Sequence, residues 1–373
     1  MQSIEWVGAM FLDALKMTII PLIIAAVISG VASLGDIRKL GRVGFYTVLY
    51  YLTTTGLAVF VGLILVNLIQ PGSGYVNTDI SLPAEIASRE PTSIGQIIRS
   101  MITPNLISSA ADTQLLPIIV FCLLFAAALT TIGPKNQTLI DFFDGLNEVM
   151  MKIIIWIMYF APVGIFALIA SKLGKAGGGP AFWQEIQLVG WYIVTVLLGL
   201  LIHFFLLTGI LWTLTRRAFD YIISMSKALI TAFGTASSSA TLPLTMECAE
   251  EAGVDERSLK FVLPLGATVN MDGTALYEAV AVMFIAQAYG VNMDFTQQII
   301  IFITATLAAI GAAGIPQAGL VTMIIVLTAV KLPVEGIGML LAVDWFLDRF
   351  RTAVNVWGDS VGAAILDRIF RKS

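Results

Sequence analysis

Five apolar runs, near residues 5–34, 43–70, 113–132, 140–171 and 185–214, are each long enough to cross a hydrocarbon layer as a helix, which takes roughly 20 residues. Outer-membrane barrels show short alternating strands instead, so the runs predict an all-α polytopic membrane protein. Charged residues make up only 12% of the 373, against about 25% in soluble domains. The net charge of -4 is small and scattered, which argues against a nucleic-acid partner and leaves the lipid bilayer as the expected surroundings.

The remaining apolar chain is interrupted. Stretches near 219–250 and 295–331 are broken midway by "GTASSSATLP" and "AAIGAAGIPQAG", and each is read as a hairpin that enters and leaves on one side. Between them, 258–290 is an apolar helix broken at "NMDGT", and 335–369 is a last helix carrying charges. Paired interrupted segments of this kind mark an inverted repeat with a binding site between its halves. Non-helical backbone at membrane depth persists only where it is buried in protein or lines a wet cavity. The plainer alternative is two loops joining four short helices.

Basic clusters at Arg38, Lys39 and Arg42, at Arg216 and Arg217, and at Arg368, Arg371 and Lys372 are expected to be cytoplasmic. That parity needs the hairpin reading, and it places the loop 71–112 outside. The start lacks a basic leader and cleavage site, so it is taken as mature chain. Cys122 and Cys248 read as packing residues, and His203, the sole histidine, as a satisfied core residue rather than a ligand.

In the last helix, Asp344, Asp348, Arg351, Asn355 and Asp359 follow at spacings of 4, 3, 4 and 4 and share one face, bordered by Thr352. Arg349 points elsewhere and needs another partner. Isolated in lipid, the four charges of this stripe would cost on the order of 10 kcal/mol, so they must face a cavity and be compensated. Three carboxylates face one guanidinium, and Asp272 in "NMDGT" adds a fourth. Bound cations remedy the surplus, since hard cations take oxygen ligands and a broken helix frees carbonyls. Arg351 suits a ligand carboxylate, or else a fixed ion pair with Asp348 or Asp344. An amino acid with two carboxylates gives every charge a partner: the ammonium on Asp348, one carboxylate on Arg351, the other on Asn355 and the hairpin tip. Ser237, Ser238 and Ser239 lie at a helix start that favours an anion, and no motif links them to a base, so the chain is not read as an enzyme.

With "SSSATLP" (237–243), "LPLGATVNMDGTALYEA" (263–279), "GAAGIPQAG" (311–319) and "DWFLDRFRTAVNVWGDS" (344–360) in this order, nearly the whole chain resembles the glutamate/aspartate transporter family of animal excitatory amino acid transporters and archaeal aspartate transporters. The resemblance implies a homotrimeric elevator transporter with two re-entrant helical hairpins. Its scaffold would comprise 1–42, the family's second helix with the first absent from this chain, and 113–214. The transport domain would comprise 43–70 and 219–373. By the same resemblance, Ser238, Thr274, Gly319, Asp348, Arg351, Thr352 and Asn355 bind substrate. Asp359 with carbonyls of Gly266, Asn270 and Asn355 forms one sodium site. Thr54, Thr55, the Tyr51 carbonyl, the Asn270 side chain and Asp272 form a second. Thr268 with carbonyls of Ala309, Ile310 and Ala312 forms a third, and Asp344 supports the cation region from behind.

Glu278 occupies the position linked to proton carriage in the animal carriers, where sodium-only archaeal members have glutamine; the alternative is simply a buried, neutral acid. Arg349 with Ala236 matches the animal arrangement, which admits potassium counter-transport. The expected function is symport of glutamate or aspartate driven by sodium, with protons and potassium as further coupling ions and no other cofactor. A C4-dicarboxylate carrier would be expected to lack Asp348, and a neutral amino acid carrier to lack Arg351. A substrate-gated ion channel is the reading from another class.

Overall fold

The computed structural model describes residues 2–32, 41–73, 101–132, 136–175, 180–310 and 318–370, with the single residues 95 and 99. Every regular element among them is helical. In chain order these are α1 (Gln2–Ala32), α2 (Gly41–Ile69), α3 (Leu106–Ala111), α4 (Leu115–Thr131), α5 (Gln137–Tyr159), α6 (Ala161–Lys175) and α7 (Pro180–Thr215). They are followed by α8 (Ala218–Thr235), α9 (Ser238–Glu251), α10 (Glu256–Val269), α11 (Asp272–Ala288), α12 (Phe295–Ile310), α13 (Ala318–Ala329), a 3-10 turn (Val334–Met339) and α14 (Leu341–Phe370). Among the described residues, four helical stretches are long and apolar enough to span a bilayer: Trp6–Ala32, Gly44–Ile69, Ile186–Thr215 and Ser258–Ala288.

The expected interruptions are where the sequence puts them. α8 ends at Ala236, whose φ of 51° is left-handed, and Ser237 then caps α9 by accepting from the Ala240 amide. α8 and α9 pack on each other as a hairpin. α12 and α13 form the second pair, and its tip, 311–317, lies outside the described residues. The break between α10 and α11 falls at Asn270–Met271, within "NMDGT".

Two boundaries differ from the reading of the sequence. The single span at 140–171 is two helices, α5 and α6, parted at Phe160, because Pro162 has no amide to continue the ladder. There Gly164 lies flat against Phe11 of α1, where a β-carbon would come 2.5 Å from the ring. The last helix begins at Leu341 rather than 335, since Val334–Met339 tightens into a 3-10 turn whose Gly336 packs on Ile285 and Tyr289.

The helices sort into two packed groups. α1 packs on α4, α5 and α6. α2, α7 and α8–α14 pack on one another around α11, which is buried on every side from Asp272 to Ala286. α7 lies against α14, α2, α11 and α8. The physical reason is legible in its glycine. A β-carbon on Gly199 would stand 3.0 Å from Leu276 of α11, so the two helices approach as closely as small residues allow. Trp191, Leu201, Phe205 and Trp212 of α7 are exposed and offer an apolar outer surface to lipid.

Candidate functional site

The stripe on α14 is buried in its entirety: Asp344, Asp348, Arg351, Asn355 and Asp359 are each 6% exposed or less. Arg351 Nη2 donates to Asp348 Oδ1 at 2.7 Å and lies 3.0 Å from Asp344 Oδ1, the latter an ion pair by distance without hydrogen-bond alignment. The guanidinium carbon sits 3.9 Å above the ring centre of Tyr277 on α11, a close cation–π contact. On its other side is Gly319 at the start of α13, where a β-carbon would be 2.7 Å from Nη1. Arg351 Nε and Nη1 have no hydrogen-bond partner among the described residues. The fixed pairing of Arg351 with Asp348, one of the two readings the spacing left open, is thus the arrangement adopted here. Asp344 belongs to this cluster through its contact with Arg351.

One turn further on, Asn355 Oδ1 accepts from the Gly273 amide at 2.7 Å, and Asn355 Nδ2 reaches Thr274 Oγ1 at 3.3 Å. Gly273 permits this: a β-carbon there would lie 2.6 Å from the Arg351 carbonyl, so α11 begins directly against the α14 backbone. Thr352 donates to the Asp348 carbonyl at 2.8 Å. Ser238 is buried at the first position of α9, which packs on α14. Six of the predicted substrate residues, Thr274, Gly319, Asp348, Arg351, Thr352 and Asn355, are thereby gathered around the broken helix, with Ser238 on the hairpin beside them.

Residues from two of the three sets expected to hold cations lie close together. Thr54 Oγ1 lies 3.2 Å from the Tyr51 carbonyl, 3.2 Å from Asn270 Oδ1 and 3.4 Å from Asp272 Oδ1. Thr55 Oγ1 donates to Asp272 Oδ1 at 2.7 Å and lies 3.5 Å from Asn270 Oδ1. These oxygens outnumber their two hydroxyl protons, which is the donor-poor surrounding that a hard cation satisfies. Beside this cluster, Asn270 Nδ2 donates to Asp359 Oδ1 at 2.9 Å. Asp359 presses against Gly266, and the Gly266 carbonyl accepts from the Asn270 amide at 2.9 Å. Asn355 is one turn before Asp359 on α14. The third set lies partly outside the described residues: the Thr268 hydroxyl donates to the Leu265 carbonyl of its own helix. Ala309 and Ile310 close α12, and Ala312 lies outside the described residues.

Glu278 is fully buried on α11, with its carboxyl group beside Thr322 of α13. Arg349 finds the separate partner its position demands, donating to the carbonyls of Phe233 and Gly234 at the end of α8, where unpaired carbonyls and the helix dipole favour a cation.

His203 is buried and partnered, as expected of a core residue, but its partner is charged: it reaches from α7 to place Nε2 2.9 Å from Asp272 Oδ2, both side chains fully buried, while its Nδ1 has no hydrogen-bond partner among the described residues. A lone histidine in an oily helix gives no signal of this, because the register of α7 against α11 is set by packing. Gly199, one turn earlier on the same face, is the trace it leaves in the sequence.

The family model described as the sodium:dicarboxylate symporter family matches residues 1–369. The chain belongs to this family. Among curated relatives of this symporter, excitatory amino acid transporter 3 of Mus musculus is 40% identical over 419 aligned residues, covering 98% of this chain and 79% of the relative. Excitatory amino acid transporter 1 of Ambystoma tigrinum is 40% identical over 424, covering 98% and 77%. An excitatory amino acid transporter of Caenorhabditis elegans is 38% identical over 410, covering 97% and 80%. The symporter is therefore a multi-pass membrane transporter and not an enzyme, with sodium as its coupling ion.

Proposed function

We propose that this symporter accumulates glutamate or aspartate in the cell by coupling to inward sodium movement. The observation that carries the proposal is the juxtaposition of Asp348 and Arg351 on one buried helix face, against the two oxygen clusters at Asp272 and Asp359. In the arrangement described, the carboxylate and the guanidinium neutralise each other. A zwitterionic acid replaces that pair group for group, its ammonium taking Asp348 and its side-chain carboxylate taking Arg351, whose Nε and Nη1 are free to donate. Succinate has no group for Asp348, and serine none for Arg351. Asn355, Thr274, Thr352, Ser238 and the Gly319 backbone complete the pocket, and sodium at the two clusters offsets the surplus of carboxylates.

The test is uptake of labelled aspartate, glutamate, serine and succinate into proteoliposomes with and without an inward sodium gradient. Concentrative uptake confined to the two acidic amino acids supports the reading. Ion current without accumulation favours the channel, and succinate or serine uptake favours the other carriers.

The wider reading is a homotrimer working as an elevator, in which α2 and α8–α14 travel as one body against the scaffold of 1–42 and 113–214. On this reading the packing of α7 on α2, α11 and α14 is the contact between the two bodies. A third sodium at Thr268 with Ala309, Ile310 and Ala312 requires α12 and the second hairpin tip to close over it. Potassium on the return step is consistent with Arg349 standing on α14.

Glu278 is read as the proton carrier, since it is a buried acid one turn beyond Thr274 and packed against the mobile hairpin. Glu278→Gln, which preserves shape while removing the exchangeable proton, is expected to leave sodium-driven uptake independent of pH across 6 to 8. A pH profile that follows the unaltered protein would remove Glu278 from the cycle.

A further inference from the structure

Asp272 is the first residue of α11, directly after the break, and its carboxylate is divided between two helices. Oδ1 faces α2, where Thr55 donates to it at 2.7 Å and Thr54 lies 3.4 Å away. Oδ2 faces α7, where His203 Nε2 lies 2.9 Å away. A carboxylate only accepts, so Nε2 carries the hydrogen. Neither side chain is reached by solvent.

We propose that His203 is a positioning residue for the cation at Asp272, clamping Oδ2 so that Oδ1 alone is presented to the hydroxyls of α2. This rests on the assignment of sodium to the Asp272 cluster made above. Three observations show the clamp to be built. Gly199 lets α7 approach α11, and the register runs from 199 opposite Leu276 to 203 opposite Asp272. Phe204, next to the histidine, stacks on Trp357 of α14 with ring centres 5.1 Å apart, which fixes the same turn of α7. Gly358 leaves the flank of Oδ2 bare, a β-carbon there being 3.1 Å from it, so the imidazole supplies the directional contact. Without it the carboxylate is free to turn about its last torsion and lose the geometry of the cluster. Partners that orient a metal-binding carboxylate or imidazole contribute about 10- to 100-fold in affinity.

The experiment compares the full-length protein with His203→Ala, His203→Asn and His203→Gln. Sodium binding without amino acid is followed by calorimetry, and sodium activation of aspartate uptake in proteoliposomes. The expected result is a half-saturating sodium concentration raised about tenfold or more in His203→Ala, with the aspartate KM at saturating sodium little changed. His203→Gln, whose amide reaches Oδ2, recovers most of the loss, and the shorter His203→Asn does not. The Asn and Gln pair decides the matter even if the alanine variant fails to fold. Sodium binding that superimposes on the unaltered protein overturns the proposal, as does equal loss of sodium and aspartate affinity, or an equal defect in Asn and Gln. An unaltered protein that binds sodium but accumulates no amino acid would count against the proposed function alone, because the calorimetric comparison still reads out.

Discussion

Arg351→Cys is expected to cut the kcat/KM of glutamate and aspartate uptake by about 100-fold or more, in line with the 2–5 kcal/mol that follows truncation of one partner of a buried charge pair. The thiol leaves the substrate's second carboxylate without a donor. It also leaves Asp344 and Asp348 facing each other without the guanidinium that now lies within 3.0 Å of both. A neutral amino acid needs no such donor, so serine uptake, expected to be absent in the unaltered protein, is expected to become measurable in the variant. Labelled uptake in proteoliposomes, normalised to inserted protein, checks both halves. Acidic amino acid transport that continues unchanged would mean that the pocket is elsewhere.

Gly266→Ala should disable the cation site proposed at Asp359 as thoroughly as loss of the carboxylate itself. Its methyl group would lie 2.5 Å from Asp359 Oδ1 and 2.8 Å from the Tyr51 hydroxyl. Neither neighbour is a loose end: Asn270 holds Asp359, and Tyr51 donates to the Val262 carbonyl at 2.6 Å. Overpacking of this sort costs about 1–3 kcal/mol. The variant is therefore expected to lose sodium activation and also to melt at lower temperature. Asp359→Asn, which removes charge but little volume, separates the two effects by losing sodium activation while largely keeping its melting temperature. A sodium curve for Gly266→Ala matching the unaltered protein would rule out Asp359 as a cation ligand.

What the sequence disclosed depended on whether the information was local. The α14 stripe was readable because a helix repeats every 3.6 residues, so the common face of Asp344, Asp348, Arg351, Asn355 and Asp359 needed no partner to be known. The breaks at Ala236–Ser237 and Asn270–Met271 were likewise written in local chemistry, with serines that cap and a polar "NMDGT" in an oily run. Partnerships between distant helices were not readable. Nothing in "LGLLIHFFLL" says that His203 meets Asp272, nor that Arg349 will find the carbonyls of Phe233 and Gly234. The split at Phe160 was a local signal overlooked: Pro162 stood in plain view inside the 140–171 run.

Asn270 is where the two oxygen clusters touch. Its carboxamide is planar and has two unlike ends, and the Asp359 carboxylate accepts only from the nitrogen end, which turns the oxygen toward Thr54 and Thr55. Rotating the amide by half a turn would point hydrogens at the Thr54 and Thr55 cluster and oxygen at a carboxylate, spoiling both places at once. If sodium binds at both clusters as proposed, the two ions share a single rotamer as common property, and cooperativity between them would require no travelling helix, only one side chain that is unable to face both ways.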